Sequence, residues 1–166
     1  MKHIIRFPAQ HTGYTLVELL VVMAILGVLA AAVMPLGEVM LRSQKERELR
    51  LALWEIRGAI DEYKKAADKG LIKTGASDSG YPPSLDALVL GAADGRASAN
   101  ASGQMVYFLR RLPRDPFASA DIPASQTWHL RSYASPPNKP AAGGDVFDVM
   151  PTASGTALDG SAYSDW

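Results

Sequence analysis

One carboxylate, Glu18, lies at the start of the most apolar stretch of the sequence. The eighteen residues from Leu19 to Leu36 carry no charge. A carboxylate beside such a run is tolerated when it pairs with a cation, or when it lies at a helix N terminus, where negative charge is favoured. The sequence therefore gives Glu18 one of two roles, as half of an ion pair or as an acidic residue at a helix start.

The other residues that carry chemistry in enzymes form no catalytic pattern. The absence of cysteine excludes disulfides, thiol catalysis and cysteine-ligated metals. His129 has no nucleophile motif nearby, and Asp115, between Arg114 and Pro116, is expected to lie in a turn. No glycine-rich phosphate-binding loop is present. We therefore expect a protein that is not an enzyme and has no confident cofactor.

Charge is balanced over the chain, with 17 basic and 17 acidic residues. Residues 38–69 carry eight basic and seven acidic residues, and residues 70–166 carry seven and nine. Neither region has the basic excess that nucleic-acid binding needs. We therefore expect no nucleic acid among the partners.

The apolar run allows three interpretations, of which two follow from length and composition. As a helix it would reach about 27 Å, close to the thickness of a bilayer core, so it could be a plain membrane anchor. It could also be a secretory signal peptide cleaved after Ala30-Ala31-Ala32. The run is longer than usual for a signal peptide, and Glu18 is poorly placed in one.

The third interpretation rests on a resemblance. The segment Gly13-Tyr14-Thr15-Leu16-Val17-Glu18-Leu19-Leu20 resembles the processing site of type IV prepilin-like proteins. The resemblance implies that a membrane peptidase cleaves between Gly13 and Tyr14 and that the new amino group of Tyr14 is methylated. Glu18 would then pair with the amino group of Tyr14 on a neighbouring subunit and set the register of assembly, as single buried polar groups do in coiled coils.

A single long helix is predicted from about Tyr14 to Lys69, with Gly70 as its C-terminal cap. Its second half has an apolar stripe at spacings of three and four residues: Leu49, Leu53, Ile56, Ile60, Tyr63 and Ala67. Leu51 and Trp54 lie off this stripe. They could belong to a subunit interface or widen the face towards the core, and we favour the core.

Beyond Gly70 the sequence predicts short elements separated by turns. These are a helix over residues 83–89 capped near Ser84, a helix over residues 105–111, and strands over residues 128–133 and 146–150. Trp166 is expected to pack on this domain. The predicted fold is α+β and pilin-like, with a long N-terminal helix, half transmembrane and half amphipathic, packed on a small antiparallel sheet domain.

The C-terminal half resembles the major pseudopilin of type II secretion systems. The matching pieces are residues 109–117, residues 145–149 and the Asp165-Trp166 end. In that family the loop after the last long strand binds calcium. Here Asp148 and Asp159 are weak candidate ligands, because Ala153-Ser154 stand where the family has its first acidic ligand.

These resemblances imply a leader (1–13), a transmembrane helix (14–37), an amphipathic half-helix (38–69) and a globular pseudopilin domain (70–166). They imply a homo-oligomeric pseudopilus in protein secretion, with other pseudopilins, a prepilin peptidase and an inner-membrane assembly platform as partners. The protein would span the inner membrane once, with its C-terminal domain in the periplasm. Charge counts beside the apolar run do not give this orientation. The alternatives are a minor type IV or competence pilin, or a membrane-anchored periplasmic enzyme or binding protein.

Overall fold

The computed structural model describes residues 13–74, 79–96 and 103–166. The predicted leader therefore lies outside the described residues, except for Gly13. The chain forms two compact units, residues 1–41 and 42–166. The predicted division into leader, membrane helix, amphipathic helix and globular domain stays a prediction.

The secondary structure is one long helix followed by short elements. The helices are α1 (Leu16–Asp68) and α2 (Leu85–Leu90), with 3₁₀ turns at Ala124–Thr127 and Tyr163–Asp165. The strands are β1 (Ala92–Ala93), β2 (Met105–Val106), β3 (Trp128–Arg131) and β4 (Asp148–Pro151). β1 pairs with β2 and β3 with β4, both antiparallel. A long helix with small antiparallel strand pairs confirms the predicted α+β class.

Both ends of α1 are set by capping groups. At its start, the Glu18 N–H donates to the Thr15 hydroxyl over 3.2 Å, the contact made by an N-cap residue. At its end, Gly70 has φ +64°, its N–H donates to the Ala67 carbonyl, and the Leu71 N–H donates to the Ala66 carbonyl. This pair of hydrogen bonds is a Schellman motif. The predicted helix bounds are therefore correct to within two residues.

The first unit is the apolar part of α1. Every residue from Leu16 to Leu41 whose side chain is described is exposed. The helix is long and apolar enough to cross a membrane. This surface therefore lacks any cover from the described chain.

The second unit has a core built on the other part of α1. Five residues of the predicted stripe are buried and Ala67 is partly buried. They join buried residues of the later elements: Leu85, Leu88, Leu109, Trp128, Val146, Val149 and Tyr163. The predicted stripe is therefore the side of α1 that faces the core.

Two predictions about this unit are wrong. Trp54 and Leu51 do not widen the core face, since Trp54 is 78% exposed and Leu51 is 66% exposed. Residues 105–111 are not a helix. Met105 and Val106 pair with Ala93 and Ala92 as strands. The residues that follow Val106 are held by contacts with distant parts of the chain. Such contacts override the helix propensity of a short segment.

The remaining short elements follow the sequence more closely. The Ser84 hydroxyl accepts from the Ala87 N–H over 3.3 Å, so Ser84 is the predicted cap of α2. The Leu88 carbonyl near the end of α2 accepts from the N–H groups of Phe108 and Leu109. β3 and β4 form where strands were predicted, although β3 is shorter and β4 begins and ends later along the chain.

Candidate processing and assembly site

The bond between Gly13 and Tyr14 lies outside regular secondary structure, before the first turn of α1. Tyr14 is 76% exposed, and no atom of the described residues approaches the position that a Cβ on Gly13 would occupy. An exposed peptide bond outside regular structure is accessible to a protease. The local geometry is compatible with the predicted cleavage, which stays a prediction.

Glu18 occupies the third position of α1. Residues 15–18 have the sequence pattern of a capping box, with Thr15 as the cap and Glu18 three residues later. A carboxylate is favoured in the first turn of a helix. Thr15 is a functional position that was not predicted, although this four-residue pattern alone identifies it as the cap. The carboxylate of Glu18 has no partner among the residues that the structure describes.

Apolar side chains surround α1 beyond Glu18. The charge-free run from Leu19 to Leu36 continues the first turn directly, so Glu18 marks the boundary between a capped helix end and an apolar rod. Exposed apolar surface on this scale is unfavourable in water. Lipid, or other helices of the same kind, would cover it.

Comparison with known families decides what kind of N terminus this is. Residues 9–34 match the family model of the prokaryotic N-terminal methylation motif. The N-terminal segment is therefore similar to a prepilin signal. The methylation motif covers the Gly13–Glu18 segment and most of the charge-free run, and it supports the type IV pilin-like resemblance. Together with the apolar helix, it fits single-pass membrane anchoring. No curated relative and no solved structure gives a significant match.

The two candidate calcium ligands lie in the second unit, and each is engaged by an arginine of α1. The Asp148 carboxylate accepts from Arg57 over 2.8 Å. The Asp159 carboxylate accepts from Arg50 over 2.5 Å and from the backbone and hydroxyl of Ser161. The Ser161 hydrogen bonds, and then the Arg50 contact, lower the pKa of Asp159 to about 2.

These contacts do not fit a ready calcium site. Calcium takes six to eight oxygen ligands, usually with several carboxylates. Among the described residues, no group of three or more acidic, histidine or cysteine side chains could hold a metal ion. A calcium ion would have to displace Arg50 or Arg57 from its carboxylate. Calcium binding at Asp148 and Asp159 therefore stays a weak prediction.

The structure also shows two buried carboxylates that the sequence analysis missed. Glu46, on α1, accepts from the Tyr163 hydroxyl over 2.8 Å and the Leu158 N–H over 3.0 Å, and it pairs with Arg42 at 3.4 Å. Arg42 also donates to the Thr156 carbonyl. Glu46 and Arg42 thus hold the C-terminal loop against α1.

Asp115 is the second of these carboxylates and is only 1% exposed. It accepts from the Phe117 N–H over 2.8 Å and from both the N–H and the hydroxyl of Thr152 over 3.1 Å. The predicted turn is therefore a junction that joins the 115–117 segment to the end of β4. In contrast, His129 is exposed on β3.

The C-terminal aromatic packs as predicted. The Trp166 ring stands edge-on to Tyr163 with the ring centroids 5.1 Å apart, and its indole N–H donates to the Ser161 hydroxyl over 2.7 Å. The Arg50 guanidinium lies 4.1 Å from the centroid of the Trp166 ring. The end of the chain is thus part of the folded unit.

Proposed function

We propose that this chain is a structural subunit of a type II secretion pseudopilus, assembled from the inner membrane to help export folded proteins. One observation carries the proposal. A methylation motif at residues 9–34 coincides with a capped apolar helix that the described residues leave exposed and whose first turn holds a carboxylate with no partner among them. Among the described residues, this helix end has neither a cover for its apolar surface nor a cation for Glu18.

Assembly of identical subunits would supply both. A prepilin peptidase would cleave between Gly13 and Tyr14 and methylate Tyr14. The Tyr14 amino group of one subunit would then pair with Glu18 of the next, and the apolar helices would pack against one another. Tyr14 lies just before α1 and Glu18 lies in its first turn, so a neighbour must be displaced along the axis for the two groups to meet.

The remaining parts of the proposal come from the type II secretion resemblance. The mature protein would be held in the inner membrane by residues 14–37, with residues 38–166 in the periplasm. Other pseudopilins and the inner-membrane assembly platform would be its partners. The folded unit has its own core and would lie on the outside of the filament.

The test is complementation in a strain that lacks the native gene. We expect the full chain to restore both secretion of folded proteins and the yield of sheared surface filaments. Restored filaments with no restored secretion would favour the minor or competence pilin alternative. A protein that stays monomeric in the membrane and restores neither would contradict the proposal.

A further inference from the structure

The side of α1 that faces away from the core of the second unit carries an apolar strip. Leu51 and Trp54 are exposed there, and Gly58 follows one turn later with open space where a Cβ would stand. These three residues, which we name the Trp54 strip, are spaced by three and four positions and so share one helix face. Burying the ring of a tryptophan that is more than three-quarters exposed removes a large apolar area from water, which favours binding.

A groove lies on each side of Trp54. The first, of about 450 Å³, is lined by Leu53, Gly58 and Trp166, among others. The second, of about 540 Å³, is lined by Gly58 and Phe108, among others. Trp54 is therefore a ridge between two hollows, and a second surface with the same ridge could enter either of them.

Charged residues flank the strip in two rows. An acidic row on one side and a basic row on the other each repeat at intervals of seven residues, or about two turns. The acidic row is Glu48, Glu55 and Glu62, and the basic row is Arg50, Arg57 and Lys64. Opposite charges on the two flanks of an apolar helix strip are the arrangement that sets partner choice and orientation between packed helices.

The two rows differ in the ion pairs and hydrogen bonds that their side chains make within the chain. The basic row is fixed by contacts within the chain: Arg50 to Asp159, Arg57 to Asp148 and Lys64 to Asp68. In the acidic row, Glu55 and Glu62 are exposed and make no hydrogen bond or ion pair with any described residue. The grooves also contain Asp61, Arg110 and Arg111. The structure thus holds a preorganised basic flank and an acidic flank in which Glu48 accepts from Gln44 over 3.1 Å, while Glu55 and Glu62 have no partner among the described residues.

We propose that the Trp54 strip binds a second copy of this chain, side by side and parallel, with the basic row of one copy against the acidic row of the next. The Trp54 ridge of one copy lies in the neighbour's groove. The inference rests on the proposed function, because subunits inserted in one membrane share an orientation. Since the complementary flanks lie on opposite sides of each copy, the contact is heterologous and can continue from copy to copy as a filament does.

Disulfide cross-linking tests this geometry directly, because the chain has no cysteine of its own. Full-length Arg50→Cys and Glu55→Cys chains are expressed together and oxidised in membranes and in sheared filaments. We expect mixed dimers of the two variants to exceed either homodimer severalfold. Leu90→Cys is the matched control, because Leu90 is 70% exposed but lies on α2. Homodimers of each variant in place of mixed dimers would overturn the opposed-row arrangement.

A second experiment leaves Arg50 and its contact with Asp159 intact. Glu55→Lys/Glu62→Lys and Trp54→Ala are each compared with Leu90→Ala for sheared filament yield at equal membrane level. We expect a loss of about tenfold or more in the first two and little change in the control, since buried aromatic anchors dominate interfaces. Parent-like yields in both would overturn the inference.

The two proposals fail in different ways. A mature chain that does not begin at Tyr14, or a parent chain that forms no filament, would count against the proposed function. Correct processing and normal filaments in all Trp54-strip variants would count only against this contact.

Discussion

Two stretches of the same helix use their surfaces in opposite ways. From Leu16 to Leu41, α1 exposes apolar side chains on every side. From Glu46 to Ala66, it buries one stripe under the elements of the second unit and exposes charges elsewhere. Both stretches are α-helix, so they differ in what packs against them. The second stretch is covered by the rest of its unit, and the first has no cover among the described residues.

The carboxylates on these two stretches differ in the same way. Glu46 is buried and has three partners from the chain itself: the Arg42 side chain, the Tyr163 hydroxyl and the Leu158 N–H. Glu18 lies beside a longer apolar run, and its carboxylate has no partner among the described residues. In the second unit, the buried carboxylate has its hydrogen-bond and ionic partners beside it. We infer that Glu18 is buried only when a neighbouring subunit supplies its cation.

The largest effect is expected from Glu18→Ala. Membrane insertion and cleavage at Gly13 should survive, because the glycine and the apolar helix remain. Assembly should fail, since the Tyr14 amino group of the neighbour would be buried unpaired, and breaking half of a buried ion pair costs about 3–5 kcal/mol. Filament yield at equal membrane level measures this.

Two further variants sharpen that result. Glu18→Gln should be intermediate, because it keeps a hydrogen-bond acceptor and loses the charge. Glu38→Ala removes an exposed carboxylate from the same unit and should assemble like the parent. If Glu18→Ala also assembles like the parent, the pairing is wrong and Glu18 only stabilises the first turn of α1.

Removing a buried side chain from the second stretch should destabilise the folded unit. We expect a fragment of residues 38–166 to be soluble and to melt cooperatively. In this fragment, Ile56→Ala should lower the free energy of unfolding by about 2–5 kcal/mol, because Ile56 is 0% exposed. The exposed Leu51→Ala should change it by less than about 0.5 kcal/mol. Equal losses in the two variants, measured by urea denaturation, would contradict the assignment of the core face.

A smaller loss is expected from Asp115→Asn. One carboxylate oxygen would become an NH₂ group that faces a donor from Phe117 or Thr152, and an unsatisfied buried group costs about 1–3 kcal/mol. Urea denaturation of the fragment measures this loss. The control is Asp121→Asn, at an exposed carboxylate nearby in the sequence. Equal stability of the two variants would show that Asp115 is not the junction described.

The smallest effect is expected from Asp159→Asn, and it should depend on pH. The pKa of Asp159 is about 2 in the folded protein, below the value of about 3.9 for an unfolded aspartate. Its contribution is therefore fully present above about pH 4 and is lost as pH falls through about 2. The melting temperature of the variant should be slightly lower than that of the parent at pH 7, and the difference should vanish near pH 2. A difference that is unchanged by acid would contradict the ionic contact with Arg50.

The same melts test calcium. A ligand that binds only the folded state raises its stability. We expect excess calcium to change the melting temperature little, since Asp148 and Asp159 already bind arginines. A rise of several degrees that disappears in Asp159→Ala would show that the loop carbonyls compensate for the missing carboxylate.

What the sequence could predict was local. The start and end of α1, the buried stripe and the Ser84 cap depend on residues within a few positions of each other, and all are confirmed. The 105–111 segment was misassigned because its partners, Ala92, Ala93 and Leu88, precede it by more than ten residues. Short segments of this kind take the structure that their distant partners impose.

The buried carboxylates were missed for the same reason. Glu46 and Tyr163 are 117 residues apart, and Asp115 and Thr152 are 37 apart. No local pattern brings such pairs together. Trp54 was misplaced because an apolar residue beside a buried stripe was expected to join it. The helical period could have corrected this, because Trp54 follows the buried Leu53 by one residue, or about 100° around the helix, and so lies away from the stripe.

The mass of the mature protein tests the central claim most directly. The full chain is extracted from membranes of cells that carry a prepilin peptidase, and its intact mass and N-terminal peptide are measured. We expect a chain that begins at Tyr14 and carries one added methyl group on its amino terminus. A chain that still begins at Met1, or one that begins at Val33 after Ala30-Ala31-Ala32, would contradict the claim.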